Sequence, residues 1–198
     1  MTPGLPPELP NEGLMARIAR GDVFAYTTLG QRHLPLGYRT AYRMLHDGHE
    51  AEDVAQESFA RLWQNAPRWD DKNNGQGGGV AAWLRRVCAN LCYDRLRQRG
   101  RWSQDEVPEI ADPAASADRL AGQAEIAELI ETCLAALSDA HRAAIVLTYY
   151  EEYSNRMAAE ILQLDIKAFE SLLHRARRRL AVLLAEGGVM PRDLELFA

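Results

Sequence analysis

Residues 154–180 read SNRMAAEILQLDIKAFESLLHRARRRL, and this stretch decides the fold. Ser154 is placed to cap a short helix through Leu162, because a serine hydroxyl accepts from the unpartnered N–H groups of a first helical turn. Gln163-Leu164-Asp165 forms a three-residue turn. Ile166 to about Ala185 is a longer helix, ended by Gly187-Gly188 and Pro191. The small side chains of Ala158 and Ala159 let the two helices cross closely, the pattern of a helix-turn-helix. Between 167 and 179, Lys167 and four arginines against Glu170 leave a local charge of +4. The N-terminal half of such a helix enters the major groove and the arginine-rich half tracks phosphates. A solvated basic face would carry the same charge; the short helix and turn in front of it favour DNA. Glycine often occupies such a turn, so Gln163 would cost about 1 kcal/mol if its backbone is left-handed. Phe169 reads as core.

Outward from this motif the helical period dominates and strand-like alternation is scarce. Residues 1–11 carry four prolines and read as a loose leader, with neither the basic cluster nor the apolar run of a secretory signal. The sequence predicts a helix from Glu12 to Arg20, a break and re-cap at Gly21-Asp22, and a second helix that Pro35 interrupts. A third, Leu36 to Leu45, ends at Asp47-Gly48. Glu50 to Asn65 follows, with an acidic first half and a stop at Pro67. The Gly- and Asn-rich stretch from Asp70 to Gly79 is a loop. Val80 to about Arg101 is a long helix with Trp83, Leu84, Val87, Leu91 and Leu96 on one side. From Trp102 to Asp118 prolines and acids break the period. Arg119 to Leu137 is helical again, and Ser138-Asp139 caps a helix through Tyr149. The expected architecture is all-α: two small helical domains, 12–101 and 119–186, joined by an acidic linker, 102–118.

The 198 residues carry 23 basic and 28 acidic side chains, a net charge of −5. That total alone disfavours a chain that simply coats nucleic acid. By segment it divides: 85–101 holds +5 and 167–179 holds +4, whereas 102–131 holds −7, from eight acids against Arg119. Two local DNA surfaces on an acidic chain fit this division, with weak DNA affinity for the free protein. No apolar run approaches the roughly 20 residues of a membrane span. Cys88, Cys92 and Cys133 cannot frame a disulfide scaffold and fit a reducing cytoplasm.

The second basic segment sets six arginines (Arg85, Arg86, Arg95, Arg97, Arg99, Arg101) against Asp94. All four tryptophans fall between 63 and 102. Basic and aromatic residues together suit single-stranded DNA, whose bases stack on rings while the backbone lies in a positive groove. Trp63 and Trp83 lie on apolar stripes and read as core; Trp69 and Trp102 lie in loops and are less constrained. Cys88 and Cys92, four apart on one helix, have no His or third Cys near in sequence and read as small core side chains, not ligands. The five histidines share no ligand spacing. No nucleophile–base pair or phosphate loop appears, so no catalytic set, metal site or cofactor is expected.

These segments together resemble the extracytoplasmic-function (ECF) group of the sigma-70 family over residues 12–186. Ala51 to Trp63 looks like the polymerase-binding helix of sigma region 2. Trp83 to Arg97 resembles the promoter-melting, −10-reading helix, and Leu172 to Leu180 resembles the end of the −35-reading helix of region 4. The resemblance implies a factor that binds core RNA polymerase, recognises −35 and −10 elements, promotes melting and directs initiation. It implies that Asp53, Gln56, Glu57, Leu62 and Trp63 meet the clamp coiled coil of the largest subunit, with the flap as a further contact. It places Trp83, Arg86, Asn90, Asp94, Arg95 and Arg97 along the melted −10 strand, and the loop from Trp69 to Gly79 beside a flipped-out base. It assigns Lys167, Glu170, Ser171, His174, Arg175 and Arg178 to the −35 element. An anti-sigma factor is the further partner it implies, with a cytoplasmic site of action and no membrane insertion. A helix-turn-helix regulator that ignores polymerase remains the alternative. A sigma-like decoy is a third reading, against which both arginine-rich stretches speak.

Overall fold

The computed structural model describes residues 9–70, 78–100 and 123–188; the expected linker 102–118, Trp102 and loop positions 71–77 lie outside them. Every regular element among the described residues is helical. The chain forms two compact units, one from Met1–Tyr42 with Asp47–Cys92, the other from Arg43–His46 with Tyr93–Ala198.

In the first unit, α1 (Asn11–Ile18) ends in a tight turn at Gly21, whose φ of +83° is cheap only for glycine. Asp22 then caps the next helix: its carboxylate accepts from Ala25 N at 3.0 Å and pairs with Arg17. Those two contacts, the backbone N–H first, hold the Asp22 carboxyl below the usual carboxylate range.

One continuous helix, α2, runs from Val23 to Leu45 with Pro35 inside it. The expected interruption at Pro35 does not occur. Proline removes a single bond, to the Gln31 carbonyl, and both residues lie on the exposed side of the helix, where solvent can replace that bond. The true break is His46, at φ +50°. Asp47 caps α3 (Gly48–Asn65) by accepting from Glu50 N at 2.9 Å, so α3 starts two residues before Glu50.

α4 (Gly79–Gln98) brings Val80 and Leu84 onto Leu14, Met15, Ile18, Leu29, Phe59 and Leu62. Cys88 and Cys92 are buried, and the Cys88 thiol lies 3.3 Å from the Gly37 carbonyl, tying α4 to α2. Tyr26 meets Trp63 edge-on at 5.1 Å. Trp69 was expected to be less constrained than the helical tryptophans. Instead it meets Trp83 edge-on at 5.7 Å, and both rings pack against the same core. Its hydrophobic area outweighs its position beyond the helix end.

In the second unit, α5 (Gln123–Ala135), α6 (Asp139–Ile145) and α7 (Asn155–Ile161) all pack against α8 (Ile166–Glu186). Ser138, Ser154 and Asp165 cap α6, α7 and α8 through His141 N, Met157 N and Ala168 N. The helix after Ser138 reaches Tyr150, but Val146–Tyr150 widens into a π turn, closed by Glu151 N on Val146 O at 3.1 Å. The seam is Ala140, Ala143, Ala144, Ala158 and Ala159 against Phe169, Leu172, Leu173 and Ala176. The alanines let α6 and α7 approach α8 closely, as the helix-turn-helix pattern requires. Gly187 ends α8 beside α5, where an added Cβ would lie 2.5 Å from a Leu129 side-chain carbon.

Gln163 is left-handed, at φ +53°. Gln163→Gly is expected to stabilise the protein by up to about 1 kcal/mol. Urea unfolding followed by circular dichroism checks this; a lower midpoint for the variant would contradict it.

Candidate nucleic-acid interface and partner surface

The axial arrangement of α8 sorts its side chains. Phe169, Leu172, Leu173, Ala176 and Leu180 face the seam. Lys167, Glu170, Ser171, His174 and Arg178 recur at three- and four-residue spacing on the opposite face and are exposed. Arg175 stands at the margin, half-buried, with its Nε shielded and without a partner. Five of the six residues assigned to the −35 element are therefore exposed on the solvent side of one helix, whose N-terminus Asp165 caps. The basic half continues through Arg177, whose guanidinium lies 5.3 Å from the Tyr149 ring centroid. That contact braces α8 against the π turn, and arginine count alone did not separate Arg177 from its neighbours.

On α4, Trp83, Arg86, Asn90, Asp94 and Arg97 follow one another at three or four residues, so they line one side. Asn90 and Arg97 are exposed; Arg86, Asp94 and Arg95 are half-buried. Trp83 is held edge-on by Trp69 at the rim of the core. Arg85 points elsewhere: it lines a small cleft with His33, Gly37 and Ser58, where its Nε and His33 Nε2 have no hydrogen-bond partner.

On α3, Asp53 and Gln56 are exposed and Glu57 is half-exposed, paired with Arg61 at 2.6 Å. Trp63 keeps part of its ring exposed beyond Tyr26. Leu62 does not belong to this surface. It is 0% exposed and sits inside the first unit's core, because the helical period turns it away from Asp53 and Glu57. Exposed Ala60 and Gln64 continue the outer face instead. The same spacing that marks Asp53 and Glu57 points to them, but their chemistry carries no signal.

Two histidines have their pKa values lowered. Burial lowers the His141 pKa from its ordinary 6.5, and the charges of Arg175 and Arg179 lower it further. Burial and Arg32 act likewise on His33. A folded-state pKa below the unfolded one means that the unfolded chain binds more protons, so stability falls as pH drops through 6.5. Thermal unfolding is expected at lower temperature at pH 5.5 than at pH 7.5, with His141→Gln flattening the dependence; equal slopes in both proteins would contradict this.

Comparison with known proteins agrees with this geometry. Residues 29–101 match the sigma-70 region 2 family and residues 123–180 match the sigma-70 region 4 family. The ECF RNA polymerase sigma factor SigL of Mycobacterium tuberculosis is 33% identical over 88% of this chain and 99% of its own length. SigW of Bacillus subtilis is 28% identical over 83% of this chain and 91% of its own. SigE of Mycolicibacterium smegmatis is 30% identical over 85% of this chain, which spans 66% of that longer protein. Two solved structures superpose with TM-score 0.52 at 27% identity: CnrH in complex with the cytosolic domain of CnrY, and sigma factor RpoE with anti-sigma factor NepR from Bartonella quintana. They cover 87% and 80% of this chain and 96% of each solved chain. The chain belongs to the ECF sigma factors of the sigma-70 family. Among the described residues no helix is long and apolar enough to cross a membrane.

Proposed function

We propose that this chain joins core RNA polymerase through the outer face of α3, reads the −35 element with α8 and captures the melted −10 strand along α4. The observation that carries the reading is the exposed Lys167–Arg178 face, set opposite a packed seam on a capped helix. Lys167, Arg175 and Arg178 would hold phosphates, while Glu170, Ser171 and His174 would meet base edges. Asn90, Arg86, Arg95 and Arg97 would track the single strand, with Asp94 and Trp83 at its duplex edge. Binding unstacked bases offsets the few kcal/mol of unpairing, so melting needs no bond chemistry and no catalytic residue of this chain. Asp53, Gln56, Glu57 and the exposed part of Trp63 would meet the clamp coiled coil. An anti-sigma protein covering such surfaces is the proposed regulator, as RpoE and NepR form a complex.

Run-off transcription with core polymerase on a pool of promoter fragments tests the reading. Discrete promoter-specific transcripts are expected; failure to bind core polymerase at low salt would overturn it. Within it, Arg178→Ala is expected to weaken binding evenly across promoters and to lower the salt slope by about one. A changed base preference would instead make Arg178 a base-reading residue.

A further inference from the structure

Arg177 lies outside the set assigned to the −35 element, and its setting singles it out. Its guanidinium sits 5.3 Å from the Tyr149 ring centroid. Tyr149 belongs to the π turn Val146–Tyr150, and such turns gather at functional sites. The Arg177 Nε is shielded and has no hydrogen-bond partner, and among the described residues this side chain pairs with no carboxylate. A ring holds a cation differently from an acid. It fixes the guanidinium while leaving the full positive charge for an anion.

The place of Arg177 on the helix says which anion. At 3.6 residues per turn, side chains two residues apart stand about 200° apart around the axis. Arg175 and Arg177, both half-buried, therefore mark the two margins of α8, where its exposed face meets the packed seam. Lys167, Ser171, His174 and Arg178 lie between these margins and are exposed. A helix lying in a major groove about 12 Å wide turns its central strip to the base edges and has a phosphate backbone on either side.

We infer that Arg177 is a further phosphate-contacting residue, facing the strand opposite to the one Arg175 meets, and that Tyr149 is its positioning residue. The inference rests on the reading of α8 as the −35 helix. An arginine gives up much rotamer freedom when it docks on a phosphate, and the Tyr149 ring takes part of that loss before DNA arrives. Two cations on opposite margins also limit the roll of α8 in the groove, which keeps Glu170, Ser171 and His174 toward the bases.

The test uses the full-length protein and a mixed-sequence DNA duplex, followed by fluorescence anisotropy across a range of salt. Arg177→Ala is expected to weaken binding about tenfold and to lower the salt slope by about one. With Arg175→Ala added, the slope should fall by about two, because the arginines meet different phosphates; a fall of only one in the double variant overturns the two-strand arrangement. Tyr149→Phe keeps the ring and should bind as the wild type does, whereas Tyr149→Leu should bind about threefold more weakly. In the Arg177→Ala background, Tyr149→Leu should have no further effect. A tyrosine that only supports the fold would weaken binding by the same factor in both backgrounds, and that result overturns the positioning role. If Tyr149→Leu loses its helical circular dichroism, Tyr149→Gln takes its place in both backgrounds, with the same two outcomes. Lys167→Ala separates this inference from the reading beneath it. If Lys167→Ala weakens binding and Arg177→Ala does not, the inference falls and the −35 reading stands; if neither weakens binding, both fall.

Discussion

Phe169→Ala is expected to destabilise the protein by about 3–5 kcal/mol, the range for removing a buried aromatic ring. A domain's whole stability is about 5–15 kcal/mol, so this single change threatens the fold. Phe169 is 0% exposed and among the largest fully buried side chains. It stands one turn into α8, on its packed side, so the ring sets the direction in which the exposed Lys167–Arg178 face points. Its neighbour Lys167 is exposed, and Lys167→Ala should change stability by no more than about 0.5 kcal/mol while weakening duplex binding. Urea unfolding and duplex anisotropy on both variants separate packing from contact. A Phe169→Ala protein of normal stability that has lost DNA binding would make the ring a base contact.

The contrast between these neighbours explains how far the sequence could be read. The helix-turn-helix was legible because several independent signals coincide at 154–180: a serine cap, small residues at the crossing, an apolar stripe and a basic opposite face. The turn residue Gln163, where glycine is the usual choice, is the strained position of the motif, at φ +53°. Pro35 misled because proline's effect depends on whether the orphaned carbonyl meets water, and exposure is a tertiary fact. Leu62 misled because family resemblance names a helix, while only the phase of that helix against its core says which side chains face outward. Trp69 joined the core from beyond a helix end, where periodicity gives no guidance. Arg142 carried no signal at all: an arginine is read as surface, and its burial follows from carbonyls that only the folded chain brings to it.

On the proposed reading, the two arginine strips and the acidic face of α3 also differ in what they need from their surroundings. Phosphate contacts tolerate small shifts, because a guanidinium attracts a phosphate over several ångströms. A protein–protein face must match shape and charge together, and like charges brought opposite one another cost several kcal/mol. The most severe functional defect should therefore come from the α3 face.

Asp53→Lys combined with Glu57→Lys is expected to reduce affinity for core polymerase by about a hundredfold or more, and to abolish run-off transcription at normal protein levels. Both side chains lie on the outside of α3, four residues apart, away from Val54, Ser58, Phe59 and Leu62, which hold the helix to its core. The fold should tolerate the change. Loss of the Glu57–Arg61 pair, and repulsion in its place, cost about 0.3–0.5 kcal/mol each on an exposed helix. Duplex binding by the free protein should not weaken, since four positive units are added to its net charge. This pairing of outcomes distinguishes a sigma factor from a regulator that works without polymerase: in the regulator, the reversed protein would remain active. Raising salt sharpens the comparison, because screening weakens the wild-type interface while relieving repulsion in the variant, so the two affinities should converge. Affinities that stay equally far apart across that range would place the loss in shape and not in charge, and would shift the partner surface from Asp53 and Glu57 toward Ala60 and Trp63.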